Sequence, residues 1–333
     1  MSSLDRLRPG DTDRRVGPGR LTTLPDGHPS SPRYGDGPQP DRVRPFTDAE
    51  HAGHVADVTS RLAMARQARL ATQFRHTVDP GQEIWSAQRR VLHDEILRDR
   101  YAAACQVPCQ RRAIVAGGLP GAGKTTVLRD YAGIDLAQYL VINPDGIKAE
   151  LASRGLIPRV DGLTPLEAGE LVHEESSHLA KRLARMAEAE GRNVIWDITM
   201  AKAGSASGRI DALRAGGYTE VTGLFVGVPI GISIERADAR HRAGHDAYRA
   251  GIGLGGRFVT GAVIRAQADP AWGSRNRANF EDAKQRFDAW SMYDNSGSRP
   301  VLADEQAQAR QAQSRQAPDR PSRIPDLARR SPQ

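Results

Sequence analysis

The 333-residue sequence predicts an α/β fold, in which a parallel sheet is flanked by helices. Short apolar runs at 113–116, 139–142, 194–196 and 224–226 alternate with segments of helical periodicity. Such alternation is typical of a parallel sheet whose strands are joined by right-handed crossovers. A glycine-rich loop at 118–125 follows the first run, which indicates a sheet of the P-loop NTPase type.

Four segments are expected along the chain. Residues 1–45 are rich in Pro, Gly, Asp and Arg, and residues 304–333 in Gln, Ala, Arg, Ser and Pro, so both ends are expected to be disordered tails. Residues 46–110 are expected to form extra N-terminal helices that pack on the core, and residues 111–303 to form the P-loop domain itself.

Two helices are predicted before the sheet. A capping box at Thr47–Glu50 opens the first helix, and Asp79-Pro80-Gly81 is expected to end it. Its inner stripe is expected to consist of Val55, Val58, Leu62 and Ala65. The second helix is expected over about 83–104, with the inward residues Ile84, Val91, Leu92 and Ile96.

Apolar periodicity and turn residues also predict the later helices, a long loop and a terminal hairpin. Helices are predicted at about 145–154, 165–190, 210–213, 232–242, 259–267 and 278–290. A loop rich in Gly and Arg is expected at 243–258, and a terminal hairpin is expected to join 292–293 to 301–302.

The glycine-rich loop predicts a bound nucleoside triphosphate with Mg²⁺. Its glycines let backbone N–H groups turn toward phosphate, Lys124 can reach the β- and γ-phosphates, and the Thr125 hydroxyl can bind Mg²⁺. The predicted nucleotide-binding residues are Gly118, Leu119, Pro120, Gly121, Ala122, Gly123, Lys124, Thr125 and Thr126.

Two carboxylates follow strands, where a parallel sheet forms its ligand crevice. Asp145 can accept the proton of an attacking hydroxyl or help to place Mg²⁺, although it can also simply cap the helix that it precedes. Asp197 can bind Mg²⁺ or hydrogen-bond a substrate hydroxyl, or it can be a carboxylate in a solvated turn.

Arginines on a closing loop can clamp a transferred phosphoryl group. Arg236, Arg240, Arg242, Arg249 and Arg257 flank or occupy the stretch 244–256, and Arg236 and Arg257 are the preferred candidates for catalysis. The histidines show no metal-ligand spacing, as His173 and His178 are five residues apart, so no metal besides Mg²⁺ is expected.

Composition indicates the cellular compartment of the protein and the classes of partner that it is expected to bind. The formal charge is +7, but basic residues do not alternate with aromatic ones as in a single-strand groove, so nucleic acid is not expected as a partner. Two cysteines, Cys105 and Cys109, are too few for a disulfide framework. Residues 1–10 lack the apolar core of a signal peptide, and no stretch has the length of a membrane span, so a cytoplasmic protein without a membrane partner is expected.

The assembled motifs resemble the zeta-toxin family of P-loop kinases. The matching blocks are 117–125, 141–148, 194–199, 234–236 and 255–257, and the resemblance covers about residues 82–303. It implies ATP- or GTP-dependent phosphorylation of a nucleotide sugar, UDP-N-acetylglucosamine, on a sugar hydroxyl, and it implies a possible antitoxin partner.

The resemblance also implies roles for individual residues. Asp145 would be the base, Lys124 and Thr125 would hold phosphate and Mg²⁺, and Arg236 and Arg257 would surround the transferred group. Substrate contacts would come from Asp197, Thr199, Glu175 and Ser176. The family often has Glu-Gly-Thr where this chain has Asp197-Ile198-Thr199, and the family prototype has an arginine at the position of Ala201.

Two other functions share these features. A 5′-hydroxyl polynucleotide kinase uses the same loop and an acceptor aspartate, and it would need a basic channel for phosphates. A non-catalytic switch would use nucleotide binding to order a loop that a partner recognises.

Overall fold

The computed structural model describes residues 44–79 and 83–306 of the chain. Strands are β1 (Thr77–Asp79), β2 (Ile84–Trp85), β3 (Arg112–Gly117), β4 (Leu140–Ile142), β5 (Val194–Asp197), β6 (Glu220–Gly227), β7 (Ala268–Asp269), β8 (Gly273–Ser274), β9 (Ala289–Asp294) and β10 (Val301–Gln306). Helices are α1 (Asp48–Gln67), α2 (Thr72–Arg75), α3 (Ala87–Ala103), α4 (Lys124–Asp130), α5 (Pro144–Ser153), α6 (His173–Glu190), α7 (Ser205–Ala215), α8 (Ile230–Arg249), α9 (Gly261–Arg265) and α10 (Arg275–Ala283).

The central sheet has six strands in the described residues, in the order β10-β9-β6-β3-β5-β4. Every neighbouring pair is parallel except β10 with β9, which form the predicted terminal hairpin. The predicted α/β class with a mostly parallel sheet is therefore confirmed. The strand order places β3 between β6 and β5, so the loop that follows β3 lies at the middle of the sheet.

Both faces of the sheet are buried, as expected for parallel strands covered by crossover helices. Successive residues of β3 alternate between the two faces: Val115 packs into one cluster with α6 and α7, and Ile114 and Ala116 pack into another with α4 and α8. Val141 on the edge strand β4 is 38% exposed, so that strand is not buried on both faces.

The first helix is shorter than predicted. Its capping box is confirmed, since Thr47 and Glu50 exchange side-chain-to-backbone hydrogen bonds. The helix ends at Gln67 rather than near Asp79, because the chain turns at Arg69, whose φ is 51°, and then forms α2 and the β1–β2 hairpin. Arg69 is a non-glycine residue with a backbone conformation in the left-handed region, and no sequence pattern predicts a turn at such a residue.

The second helix faces inward with different residues than predicted. It begins at Ala87, after the N-cap Ser86, and Ile96 is buried as expected. Ile84 and Val91, however, are 42% and 57% exposed. The polar residues Arg89 and His93 take the inner face together with Leu97, because they bind a buried carboxylate on α6.

The remaining boundaries differ in several places. α8 extends to Arg249, so residues 243–249, the first seven of the predicted loop 243–258, are helical. A 3₁₀ helix (Glu167–Val172) precedes α6, which ends as predicted before Gly191. β10 continues through Gln306, so the predicted tail does not begin at 304. The rest of that tail, and residues 1–43 of the predicted arm, lie outside the described residues.

Candidate active site

The glycine-rich loop joins β3 to α4 and is held in place from two sides. At Gly123, φ is 84°, and a Cβ there would clash with the side-chain amide of Asn295. That amide donates instead to the carbonyl of Ala122 at 2.8 Å, and Ser233 Oγ donates to the carbonyl of Pro120 at 2.5 Å. Glycine is required where the loop meets its neighbour, since only glycine tolerates this φ without a Cβ clash.

The loop faces a cavity of about 980 Å³ at the carboxyl ends of β3, β4 and β5. The cavity is lined by the predicted residues Pro120, Gly121, Ala122, Gly123, Lys124, Thr125, Thr126, Asp145, Asp197, Thr199, Arg236 and Arg257. The structure therefore brings the predicted phosphate loop, both predicted carboxylates and both preferred arginines to one place. Gly118 and Leu119 lie behind the lining, and Leu119 is buried.

Lys124 and Asp197 lie together at the base of the cavity. Lys124 Nζ donates to the carbonyl of Gly118 at 3.2 Å and is 3.6 Å from Asp197 Oδ1. Asn143 Nδ2 donates to the other carboxylate oxygen of Asp197 at 2.7 Å. Burial raises the pKa of Asp197, which Lys124 opposes and the charge of Asp145 reinforces. Asp197 is thus not a carboxylate in a solvated turn.

Asp145 faces the cavity with a half-exposed carboxylate. Lys148 Nζ lies 3.2 Å from Oδ1, and an Arg257 guanidinium nitrogen lies 3.3 Å from Oδ2. Burial alone would raise the pKa of Asp145, but the charges of Lys148 and Arg257 outweigh it and hold that pKa below its usual range. Asn143 is the N-cap of α5 and accepts from the Asp145 backbone N–H, so Asp145 does not cap this helix with its own side chain.

Three arginines converge on the cavity. Arg236 and Arg240 lie four residues apart on α8 and so share a face, and Arg257 follows the helix across the loop. Desolvation and the charge of Arg257 lower the pKa of Arg240. Like charges held this close are stabilised when an anion such as a phosphate binds among them.

Arg242 and Arg249, which the sequence analysis named with these arginines, do not line the cavity. Arg242 binds Asp48 and the Phe46 carbonyl, and Arg249 lies 4.3 Å above the Phe46 ring. Both hold the chain that precedes α1 rather than lining the cavity. Because α8 is longer than predicted, these two arginines sit on a helix and not on a loop.

Glu175 and Ser176 do not lie in the cavity, contrary to expectation. The Glu175 carboxylate is completely buried against α3, where it accepts from Arg89 Nε at 2.6 Å and lies 2.6 Å from His93 Nε2. The Ser176 hydroxyl donates to the carbonyl of His173. Helix α6 contributes His173 and Ser177 to the cavity wall instead. Being on this helix is therefore not enough to place a residue in the cavity.

The sequence reasoning missed several residues that line the cavity. Lys148 lies one helical turn after Asp145, and Arg240, which was named with the loop arginines but was not a preferred candidate, lies one turn after Arg236. Three further residues of the wall belong to α1, namely Thr59, Leu62 and Arg66. Nothing local to α1 indicates this contact, which depends on where the helix packs.

A P-loop between a buried strand and a helix, with a lysine, two carboxylates and converging arginines in one cleft, defines a P-loop phosphotransferase. The sequence model of the family described as Zeta toxin matches residues 94–306, which is more than half of the chain. The chain therefore belongs to the zeta toxin family of kinases. The match begins inside α3, so part of the N-terminal helical segment lies within it.

Two solved structures of one complex share the fold at low sequence identity. A crystal structure of AvrRxo1-ORF1:-ORF2 with ATP matches with a TM-score of 0.52 and 18% identity, covering 66% of this chain and 68% of that one. The same complex with sulphate ions matches at 0.51 and 17%, covering 69% and 72%. The PezAT chromosomal toxin-antitoxin system of Streptococcus pneumoniae matches at 0.46 and 15%, covering 64% and 79%.

No curated protein matches the chain. Among the described residues, no helix combines the length and the apolar character needed to cross a membrane.

Proposed function

We propose that this protein is a kinase that transfers the γ-phosphoryl group of ATP or GTP to a hydroxyl of a nucleotide-linked acceptor. The observation that carries the proposal is the shared cavity, in which the Asp145 carboxylate is accessible and faces the space next to Lys124. A hydroxyl bound there would have a proton acceptor on one side and the phosphate loop on the other.

The transfer step would proceed as follows. The acceptor oxygen attacks the γ-phosphorus, the bond from that phosphorus to the β–γ bridging oxygen breaks, and ADP or GDP leaves with the electron pair. The hydroxyl proton goes to a carboxylate oxygen of Asp145, whose lowered pKa keeps it ionised before the reaction. Lys124, Arg236, Arg240 and Arg257 would neutralise charge on the phosphoryl oxygens.

Mg²⁺ suits the donor atoms next to the loop. The Thr125 hydroxyl and the Asp197 carboxylate both line the cavity, and oxygen atoms are the ligands that Mg²⁺ prefers. When bound between these residues and the nucleotide, Mg²⁺ would neutralise negative charge on the phosphate groups. Asp197 and Thr199 are also placed to contact the acceptor, and these two roles of Asp197 compete.

UDP-N-acetylglucosamine is the acceptor that membership in this family favours. The test incubates the purified protein with ATP or GTP, Mg²⁺ and a panel of UDP-sugars, and mass spectrometry identifies any compound that gains one phosphoryl group. A 5′-hydroxyl oligonucleotide forms a second arm. Phosphorylation of a UDP-sugar by the wild type and not by Asp145→Asn supports the proposal, and phosphorylation of the oligonucleotide alone contradicts it.

We also propose an antitoxin partner that restrains the kinase in its host. Membership in a toxin family is the support, and the AvrRxo1-ORF1 structure is a complex with a second protein by its name. Expression of the wild type should arrest growth, and Lys124→Ala should not. Arrest by the Lys124→Ala variant would indicate a non-catalytic switch instead.

A further inference from the structure

A buried cluster of three histidines surrounds the Glu167 carboxylate, and none of these four residues lines the active-site cavity. His54 Nε2 lies 2.6 Å from Glu167 Oε1, and His241 Nε2 and His245 Nδ1 each lie 2.9 Å from the same oxygen. Glu167 is completely buried, and the histidine side chains are 2% to 12% exposed. The donors come from three separate elements, namely α1, the 3₁₀ helix and α8.

Hydrogen bonds alone fit this cluster poorly. Three ring nitrogens converge on one carboxylate oxygen, while the other oxygen of Glu167 accepts the backbone N–H of Thr164 at 2.8 Å. A carboxylate oxygen offers about two lone pairs, so a third donor has no good acceptor site. His241 Nδ1 is also buried and has no hydrogen-bond partner in the described part of the chain.

The same atoms form a set that first-row transition metals prefer. Imidazole nitrogen with one carboxylate is the donor chemistry of Zn²⁺ and its neighbours, whereas Mg²⁺ and Ca²⁺ prefer oxygen alone. The donor atoms of His54, Glu167 and His245 all lie within 4.8 Å of one another. Zinc–ligand bonds of about 2.0–2.1 Å in a tetrahedron separate ligands by about 3.3 Å. The nitrogens of His54 and His245 lie 2.6 and 2.9 Å from the Glu167 oxygen, so they need to move away from it by about 0.7 and 0.4 Å.

We propose that His54, Glu167 and His245 bind a divalent transition metal ion of the Zn²⁺ class. His54 on α1 and His245 on α8 are far apart in the sequence, so no ligand spacing within one helix reveals them. The expectation that no metal besides Mg²⁺ is bound overlooks this pair.

The ion would fix α1 to α8 next to the active site. His54 lies on the helix that supplies Thr59, Leu62 and Arg66 to the cavity wall, and α8 also carries Arg236 and Arg240. The neighbouring pair His51 and Asp238, 3.0 Å apart, joins the same two helices one turn away, but Asp238 is half-exposed. The buried set therefore provides the better-defined site, and its proposed occupancy is independent of the kinase activity.

The test uses the full-length protein without a histidine tag, stripped with a chelator and assayed without nucleotide. Titration with Co²⁺, followed by the visible absorption of the tetrahedral ion, should reach one equivalent, and Zn²⁺ should displace it. The variants His54→Gln and His245→Gln keep a polar side chain but should bind less than one-tenth of an equivalent. His178→Gln, which removes an imidazole outside the cluster, should bind like the wild type.

Circular dichroism verifies that each variant is folded. Failure of the wild type to bind Co²⁺ or Zn²⁺ at one equivalent would overturn the proposal, and so would equal binding by the two cluster variants. Should both variants fail to fold, the wild-type Co²⁺ complex decides by NMR. Two paramagnetically shifted imidazole N–H signals, from His54 and His245, support the site, and any smaller number overturns it.

Discussion

Two acidic residues on neighbouring helices, Asp145 on α5 and Glu175 on α6, have basic partners but very different access. The Asp145 carboxylate is 48% exposed and lines the cavity, and its partners Lys148 and Arg257 line the same cavity. The Glu175 carboxylate has no exposed surface and is closed in by Arg89 and His93. An ion pair that a substrate can reach is suited to chemistry, and one sealed from it is suited to holding helices together.

The largest effect is expected at the accessible carboxylate. Asp145→Asn removes the proton acceptor and should lower kcat by roughly 10²–10⁴-fold, the usual contribution of a general base. Nucleotide binding by calorimetry and the free energy of unfolding should change little, because the side chain is half-exposed. An unchanged kcat would mean that another group accepts the proton.

The sealed carboxylate should show the opposite pattern. Glu175→Gln leaves Arg89 and His93 buried without a charged partner, and breaking such a pair typically costs about 3–5 kcal/mol of the free energy of unfolding. Urea denaturation measures this cost. The kcat per folded molecule should stay within about twofold of the wild type, and a selective loss of kcat would return Glu175 to the active site.

The free energy of unfolding should also depend on pH through the buried Glu175 carboxylate. Burial would raise the pKa of Glu175, but hydrogen bonds and charge from His93 and Arg89 lower it to about 2. A depressed pKa stabilises the fold above the ordinary pKa of the unfolded chain, about 4.5, and this stabilisation is lost as the pH falls toward about 2. The free energy of unfolding should therefore decrease over that window, and less steeply in Glu175→Gln; equal slopes would contradict the assignment.

A matched pair of arginines on α8 gives the smallest effects. Arg240→Ala removes a cation from the cavity and should reduce kcat/KM by about tenfold or more, as a charge-assisted contact to phosphate is worth about 1.5–3 kcal/mol. Arg242→Ala removes an ion pair with the exposed Asp48, which should change the unfolding free energy by about 1 kcal/mol or less and leave kcat/KM unaltered. Equal losses of kcat/KM in Arg240→Ala and Arg242→Ala would show that a position in the cavity wall does not decide which arginine contributes to activity.

Much of the cavity was predictable because its signals are local. An apolar run followed by glycines and Lys124 places a strand, a turn and a phosphate-binding lysine within a few residues. Asp197 is the last residue of β5, Asp145 follows the end of β4 after Asn143 and Pro144, and parallel strands end at the same edge of a sheet. Arg240 was named among the loop arginines but was not preferred, although it lies one turn after Arg236.

The misplaced residues depended on distant parts of the chain. Glu175 lies on the correct helix, but its direction is decided by Arg89 and His93, more than 80 positions earlier. Ile84 and Val91 had the correct apolar character, yet a buried ion pair took the inner face of their segment. Periodicity counts apolar residues and does not register a polar pair that is buried together.

The amino-acid sequence by itself determined the class of fold, the phosphate loop and the two strand-end carboxylates, because adjacent residues encode strands, turns and caps. The tertiary structure alone decided which side chains share a space. It brought α1 to the cavity wall, turned Glu175 away from it, and gathered His54, Glu167 and His241 from three elements into one buried cluster. These contacts join segments that are distant in the sequence, so they depend on how the whole core packs and not on any local sequence pattern.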